Sequence, residues 1–92
     1  MNLTREKLLD YIDRKEPAML DLWRKLVLIE SPSYHKAGVD AVGALLADFC
    51  RDVLGYHVRF QEDAVYGNCL AACSCPFEEF REGIAISAHM DT

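Results

Sequence analysis

No stretch of this sequence approaches the roughly 20 consecutive apolar residues that a membrane-spanning helix requires, so no transmembrane segment is predicted and a membrane is not an expected partner. Positive charge is also scarce. Ten Lys and Arg stand against 15 Asp and Glu, for a net charge of -5. A protein that neutralises nucleic-acid phosphates carries a basic patch; none is present, and nucleic acid is excluded as an expected partner. The opening residues, Met1 to Lys7, lead into mixed charge and not into an apolar core with a small-residue cleavage site. That pattern is unlike a signal peptide, and the cytoplasm is the expected location. There is no internal repeat and no low-complexity segment.

What the chain does have is the make-up of a globular protein: 51% hydrophobic and 27% charged residues, far more apolar than a disordered chain. Its 92 residues fit one small domain or part of a larger one. A domain of this size buries a modest share of its surface and is marginal alone. Of the four cysteines, Cys50, Cys69, Cys73 and Cys75, none is expected in a disulfide, because reduced thiols are the rule without a secretory signal.

The apolar spacing predicts three helices followed by three strands. The first helix runs from about Thr4 to Arg14, with Thr4 as its cap and Glu6 near the positive end of the dipole. Pro17 interrupts it, since proline suits the first turn of a helix and not its interior. A second helix from about Pro17 to Ile29 carries Met19, Leu22, Trp23, Leu26, Val27 and Ile29 on a broad apolar face; Trp23 is expected in the core. The charged cluster Asp21, Arg24 and Lys25 is expected on a solvated face. Ser31-Pro32-Ser33 ends this helix. The third helix spans about Ala37 to Leu54, with Val39, Val42, Leu46, Phe49 and Val53 in one stripe. Gly55 sits where a helix end favours positive φ.

Tyr56 to Phe60 alternates apolar and polar residues and reads as a half-buried strand, with His57 facing water. Gly67-Asn68 marks a turn, and Asn68 to Cys75 reads as a second strand. Pro76 to Glu82 is an acidic surface turn. Gly83-Ile84-Ala85-Ile86-Ser87-Ala88 is almost wholly apolar, which suits a strand covered on both faces in the middle of a sheet. The expected fold class is α/β, with N-terminal helices packed on a mixed β-sheet.

The residues with the most chemical promise follow that last strand: His89-Met90-Asp91-Thr92. Residues two apart on an extended chain point to the same side, so His89 and Asp91 are neighbours by construction. Ligands in open α/β sheets bind outside the carboxyl ends of strands. One imidazole nitrogen can bind zinc at about 2.0–2.1 Å. The other needs a partner to fix its tautomer, and a nearby carboxylate supplies one. The role of Thr92 is open. Spacing alone also allows an ordinary strand-end histidine and a turn-forming aspartate. His35, after the Ser-Pro-Ser-Tyr loop, reads as a solvated loop residue. Cys69, Cys73 and Cys75 do not read as a zinc cluster: Cys69 and Cys73 lie about 13 Å apart along a strand, too far for one zinc with bonds of about 2.3 Å. Small buried thiols are the expectation there.

Several segments, in order, carry a family likeness: Leu26 to Ser33; Gly38 with the helix to Leu54; Leu54-Gly55-Tyr56-His57-Val58; Gly67-Asn68; and, most specifically, Ile84 to Thr92. With these the chain resembles the zinc-dependent exopeptidases that include glutamate carboxypeptidase, aminoacylase, acetylornithine deacetylase and succinyl-diaminopimelate desuccinylase. The resemblance implies that residues 1–92 are the N-terminal part of a metallopeptidase catalytic domain. It implies a hydrolase that cleaves a peptide or an N-acyl amino acid at a two-zinc site. His89 would be a ligand to one zinc, and Asp91 would serve the catalytic centre as the carboxylate that orients His89. The family's bridging Asp, its adjacent Glu pair with the general base, a further acidic ligand and a last His have no counterpart here. A catalytic zinc takes three protein ligands and an open position for water, so the 92-residue chain is expected to be inactive by itself. The rival expectation is a noncatalytic remnant that associates with itself through exposed strand edges, giving a homo-oligomer.

Overall fold

The computed structural model describes residues 3–91. The element order is α1 (Arg5–Val27), α2 (Lys36–Asp52), β1 (His57–Gln61), β2 (Cys69–Cys73) and a single 3-10 turn, Phe77–Glu79. Helices and a sheet are both present, as the α/β expectation requires, but the sheet is not mixed. It is a two-stranded antiparallel hairpin in which His57 faces Cys73 and Gln61 faces Cys69.

The first two expected helices are one. α1 continues for 23 residues through Pro17, a length of about 35 Å. The Thr4 hydroxyl accepts the Lys7 amide at 3.2 Å and starts it. Ion pairs between Asp10 and Arg14 at 3.1 Å and between Asp21 and Lys25 at 3.0 Å brace both sides of the proline. Pro17 removes only its own N–H, and the Asp13 carbonyl that would have received it lies on an exposed turn open to water. α1 buries none of its residues. Trp23, expected in the core, is 64% exposed, because no element among the described residues covers it; Leu22 and Leu26 are half-buried.

The core lies instead between α2 and the hairpin. α2 buries Gly38, Val39, Val42, Gly43 and Ala47. This face is built largely from small residues, so the helix and the chain beside it approach closely. A Cβ at Gly67 would run into the Val39 side chain, and one at Gly43 would stand 3.4 Å from the Phe60 ring. α2 ends at Asp52, and Gly55 takes the positive φ of 69° that its position predicts. The Tyr56 amide then reaches back to the Cys50 carbonyl at 2.8 Å, satisfying a carbonyl of the last turn.

A polar staple joins α2 to the loop between the strands. The Lys36 ammonium donates to the Tyr66 carbonyl at 3.0 Å and to Asn68 Oδ1 at 2.8 Å, and it pairs with Asp40 at 3.0 Å. Asp40 accepts the Asn68 amide at 2.7 Å. Asp63 accepts the amides of Val65 and Tyr66 at 2.8 and 2.7 Å, a side-chain-to-backbone turn of the kind aspartate favours. These bonds hold both carboxyls below their ordinary pKa: for Asp40 chiefly the Asn68 amide and then Lys36, for Asp63 the Tyr66 and Val65 amides.

Residues 83–88 are the largest departure from expectation. They form no strand, and Ile84 and Ile86 are 92% and 91% exposed. An apolar run becomes a buried strand only when a neighbour supplies a ladder and layers cover it; among the described residues none does. The three thiols expected to be buried also depart from that state: Cys69 is exposed, and Cys73 and Cys75 are half-buried. The whole chain has an accessible surface of 7558 Å², against about 5,400 Å² for a folded monomer of its mass. Its radius of gyration is 15.0 Å, against about 12 Å for a compact domain of this length.

Candidate functional site

The extended segment that follows residue 83 returns to α2 at Met90. The Met90 thioether lies over Gly43, whose added Cβ would stand 3.7 Å from the sulfur. With Met90 turned towards the helix, the alternation of an extended chain sends His89 and Asp91 together to the other side. His89 Nδ1 is 3.5 Å from Asp91 Oδ1, so the expected pairing of imidazole and carboxylate is realised. The other carboxylate oxygen of Asp91 accepts a hydrogen bond from the Ser33 hydroxyl, across 58 positions of sequence. Ser33, Asp91 and His89 thus form a short polar chain between the loop before α2 and the end of the extended segment.

The electrostatics follow from these contacts. The Ser33 hydroxyl, first, and the Asp91 amide, second, hold the Asp91 carboxyl below its ordinary value of 3.8, and His89 adds to the effect. Asp91 is therefore a carboxylate near neutral pH. It is fixed on one side by Ser33 and directed on the other at the imidazole. His89 itself is 93% exposed.

Beside this chain lies an open groove of about 660 Å³. Val39 and Leu46 of α2 form one side, Leu70 and Ala72 of β2 the second, and Ile86 and Ser87 the third. The groove is therefore mostly apolar, and the polar Ser33–Asp91–His89 chain stands at its margin. Ligand sites commonly combine these two features.

As a zinc site the arrangement is incomplete. A ligand histidine with its second nitrogen turned to a carboxylate has the chemistry of one zinc ligand. Among the described residues, however, no three His, Cys, Asp or Glu side chains converge to hold a metal ion. These residues supply one ligand and its orienting carboxylate, and they do not fit zinc by themselves. Thr92, the last member of the motif, lies outside the described residues.

The remaining candidates fall elsewhere. His35 caps α2 without a side-chain bond and is exposed, and His57 is exposed on β1. Ser33 is the contribution that motif reading missed. Its loop stands out in the sequence, but nothing in a spacing of 58 residues announces a contact with Asp91. Comparison with protein-family models, curated proteins and solved structures finds no significant match.

Proposed function

We propose that this chain forms the N-terminal part of the catalytic domain of a zinc-dependent exopeptidase or amidohydrolase, acting on peptides or N-acyl amino acids in the cytoplasm. In this reading His89 is a ligand to one zinc of a two-zinc site, and Asp91 orients it. The observation that carries the reading is the Ser33–Asp91–His89 chain at the groove: a carboxylate held ionised by a hydroxyl and set against one nitrogen of an exposed imidazole. A carboxylate fixed in this way suits the role of holding a ligand histidine in one tautomer and orientation. The large exposed surface agrees with a part that packs against further structure.

The experiment is to compare the purified chain with one lengthened by whatever coding sequence follows residue 92. The 92-residue chain should bind zinc only weakly and hydrolyse neither dipeptides nor N-acyl amino acids. The lengthened chain should gain both properties, and His89→Ala in it should remove tight zinc binding. Zinc-dependent hydrolysis by the short chain would sink the expected inactivity. A following sequence without a bridging Asp and an adjacent Glu pair would sink the family reading.

A second reading, of a different class, rests on the unpaired segment at residues 83–88 and the uncovered face of α1. It is a noncatalytic module that associates with copies of itself through its open strand edges. Light scattering separates the two: a concentration-dependent oligomer abolished by charge at Ile86 (Ile86→Lys) favours this reading, and a monomer removes it.

A further inference from the structure

Cys73 ends β2, and the chain bends at Ser74 and Cys75 before Pro76. On a straight strand, side chains two residues apart stand nearly 7 Å from one another. The bend brings the two sulfurs to 3.7 Å, in a thiol–thiol contact. Both residues are half-buried. Cys69 has no such relation to Cys73, because it faces Gln61 at one end of the hairpin while Cys73 faces His57 at the other.

We propose that Cys73 and Cys75 form a reversible dithiol–disulfide site that reacts with small disulfides of the glutathione class. The Cys73 thiolate attacks one sulfur of the oxidised reagent, forming a mixed disulfide and expelling one thiolate. The Cys75 sulfur, after losing its proton, then attacks Cys73, closes the intramolecular bond and expels the second thiolate. The net change is oxidation of two protein thiols and reduction of one small disulfide to two thiols.

Either sulfur can donate in this contact, and the Cys75 thiol is pushed up from its ordinary value first by the bond with Cys73 and then by burial, with Glu79 adding to the effect. The raised Cys75 thiol is assigned the second attack, after it has lost its proton. Closing the bond needs the sulfurs to approach from 3.7 Å to about 2.05 Å, a movement within reach of side-chain rotation and a small adjustment of the bend. A bridge between residues two apart closes a tight ring and departs from relaxed disulfide geometry, which makes it readily reduced. It also closes almost no loop, so it adds little to stability through the unfolded chain. Its local effect is to fix the exit of β2, just ahead of the turn where Phe77 packs under the Arg59 guanidinium at 3.9 Å.

The test is to treat the folded chain with oxidised glutathione and follow intact mass and peptide mapping. The expected product has lost two hydrogens, retains no glutathione at these two residues, carries a Cys73–Cys75 link, and returns to the starting mass with dithiothreitol. Cys75→Ser should trap a stable glutathione adduct on Cys73, whereas Cys50→Ser and Cys69→Ser should leave the internal link unchanged. Persistent glutathione on both Cys73 and Cys75 of the unsubstituted chain, or a link from either to Cys50 or Cys69, would overturn the proposal. Mapping of the unsubstituted chain decides the matter even if a variant fails to fold.

Discussion

α1 and α2 are both amphipathic, and their fates differ. α2 buries five residues against the hairpin and the chain around it. α1, longer and equally striped, buries none, and Leu8, Leu9, Tyr11, Ile12, Met19 and Leu20 are each 44–46% exposed. The difference lies in what each helix faces. α2 meets the hairpin through glycine, alanine and valine, which permit close approach, and its first turn is tied by Lys36 and Asp40 to the loop between the strands. α1 has capping and ion pairs along its own surface, but among the described residues no layer buries its large side chains. Helical periodicity specifies which face will be buried if something covers it; the cover itself is specified elsewhere.

A charge placed on each face in turn should separate the two helices most. Val42 is 5% exposed. Val42→Asp would leave a carboxylate without a partner in the core, at a cost of several kcal/mol. That is comparable with the whole stability expected of a chain this size, about 5–14 kcal/mol. Cooperative thermal unfolding should weaken severely or vanish. Trp23→Asp, on the exposed face of α1, should change stability by about 1 kcal/mol or less. Equal losses from the two variants, measured by circular dichroism and urea denaturation, would show that α1 is packed as firmly as α2.

Pro17→Ala should have the next largest effect, confined to α1. Proline in a helix interior costs about 3 kcal/mol relative to alanine, through the missing N–H and the crowding of the preceding turn. Substitution should raise helicity and slow amide exchange along Arg5–Val27. Because α1 contributes so little to the core, the urea midpoint of α2 and the hairpin should scarcely move. A midpoint that rises with α1 helicity would mean that the two regions unfold as one.

What was legible in the sequence follows the same division. Features set by a few adjacent residues were readable: the Thr4 cap, the positive φ of Gly55, the two hairpin strands, and the pairing of His89 with Asp91 through strand alternation. Features that depend on a distant partner were not. Pro17 looked like a boundary because its cost is local, while the continuity of α1 rests on good helix formers and ion pairs on both sides. Residues 83–88 looked like a central strand because an apolar run implies neighbours, and none of the described residues fills that place. Trp23 looked like core for the same reason. The Ser33–Asp91 contact joins residues 58 positions apart, and the thiol contact of Cys73 and Cys75 depends on a bend that a strand reading straightens.

The smallest effect concerns the staple that gives α2 its advantage. Asp40 and Asp63 have carboxyls held below 3.8 by the amides and the lysine around them. A carboxyl whose folded pKa lies below its unfolded value contributes stability above the unfolded value and loses it as pH falls through the folded one. The staple should therefore be intact at neutral pH, begin to weaken near the ordinary carboxylate value, and fail below it. Asp91 follows the same sign through Ser33. Asp40→Asn removes the ionisable group and, with it, this part of the acid sensitivity. Its urea midpoint should be lower than that of the unsubstituted chain at pH 7, and the gap should narrow as the pH is taken below 4. All three carboxylates are solvent-accessible, so the change will be modest and reduced by salt. A gap that stayed constant from pH 7 down to pH 2 would mean that the bond from the Asn68 amide matters for its shape alone. The attachment of α2 to the hairpin would then rest on its apolar face, without help from charge.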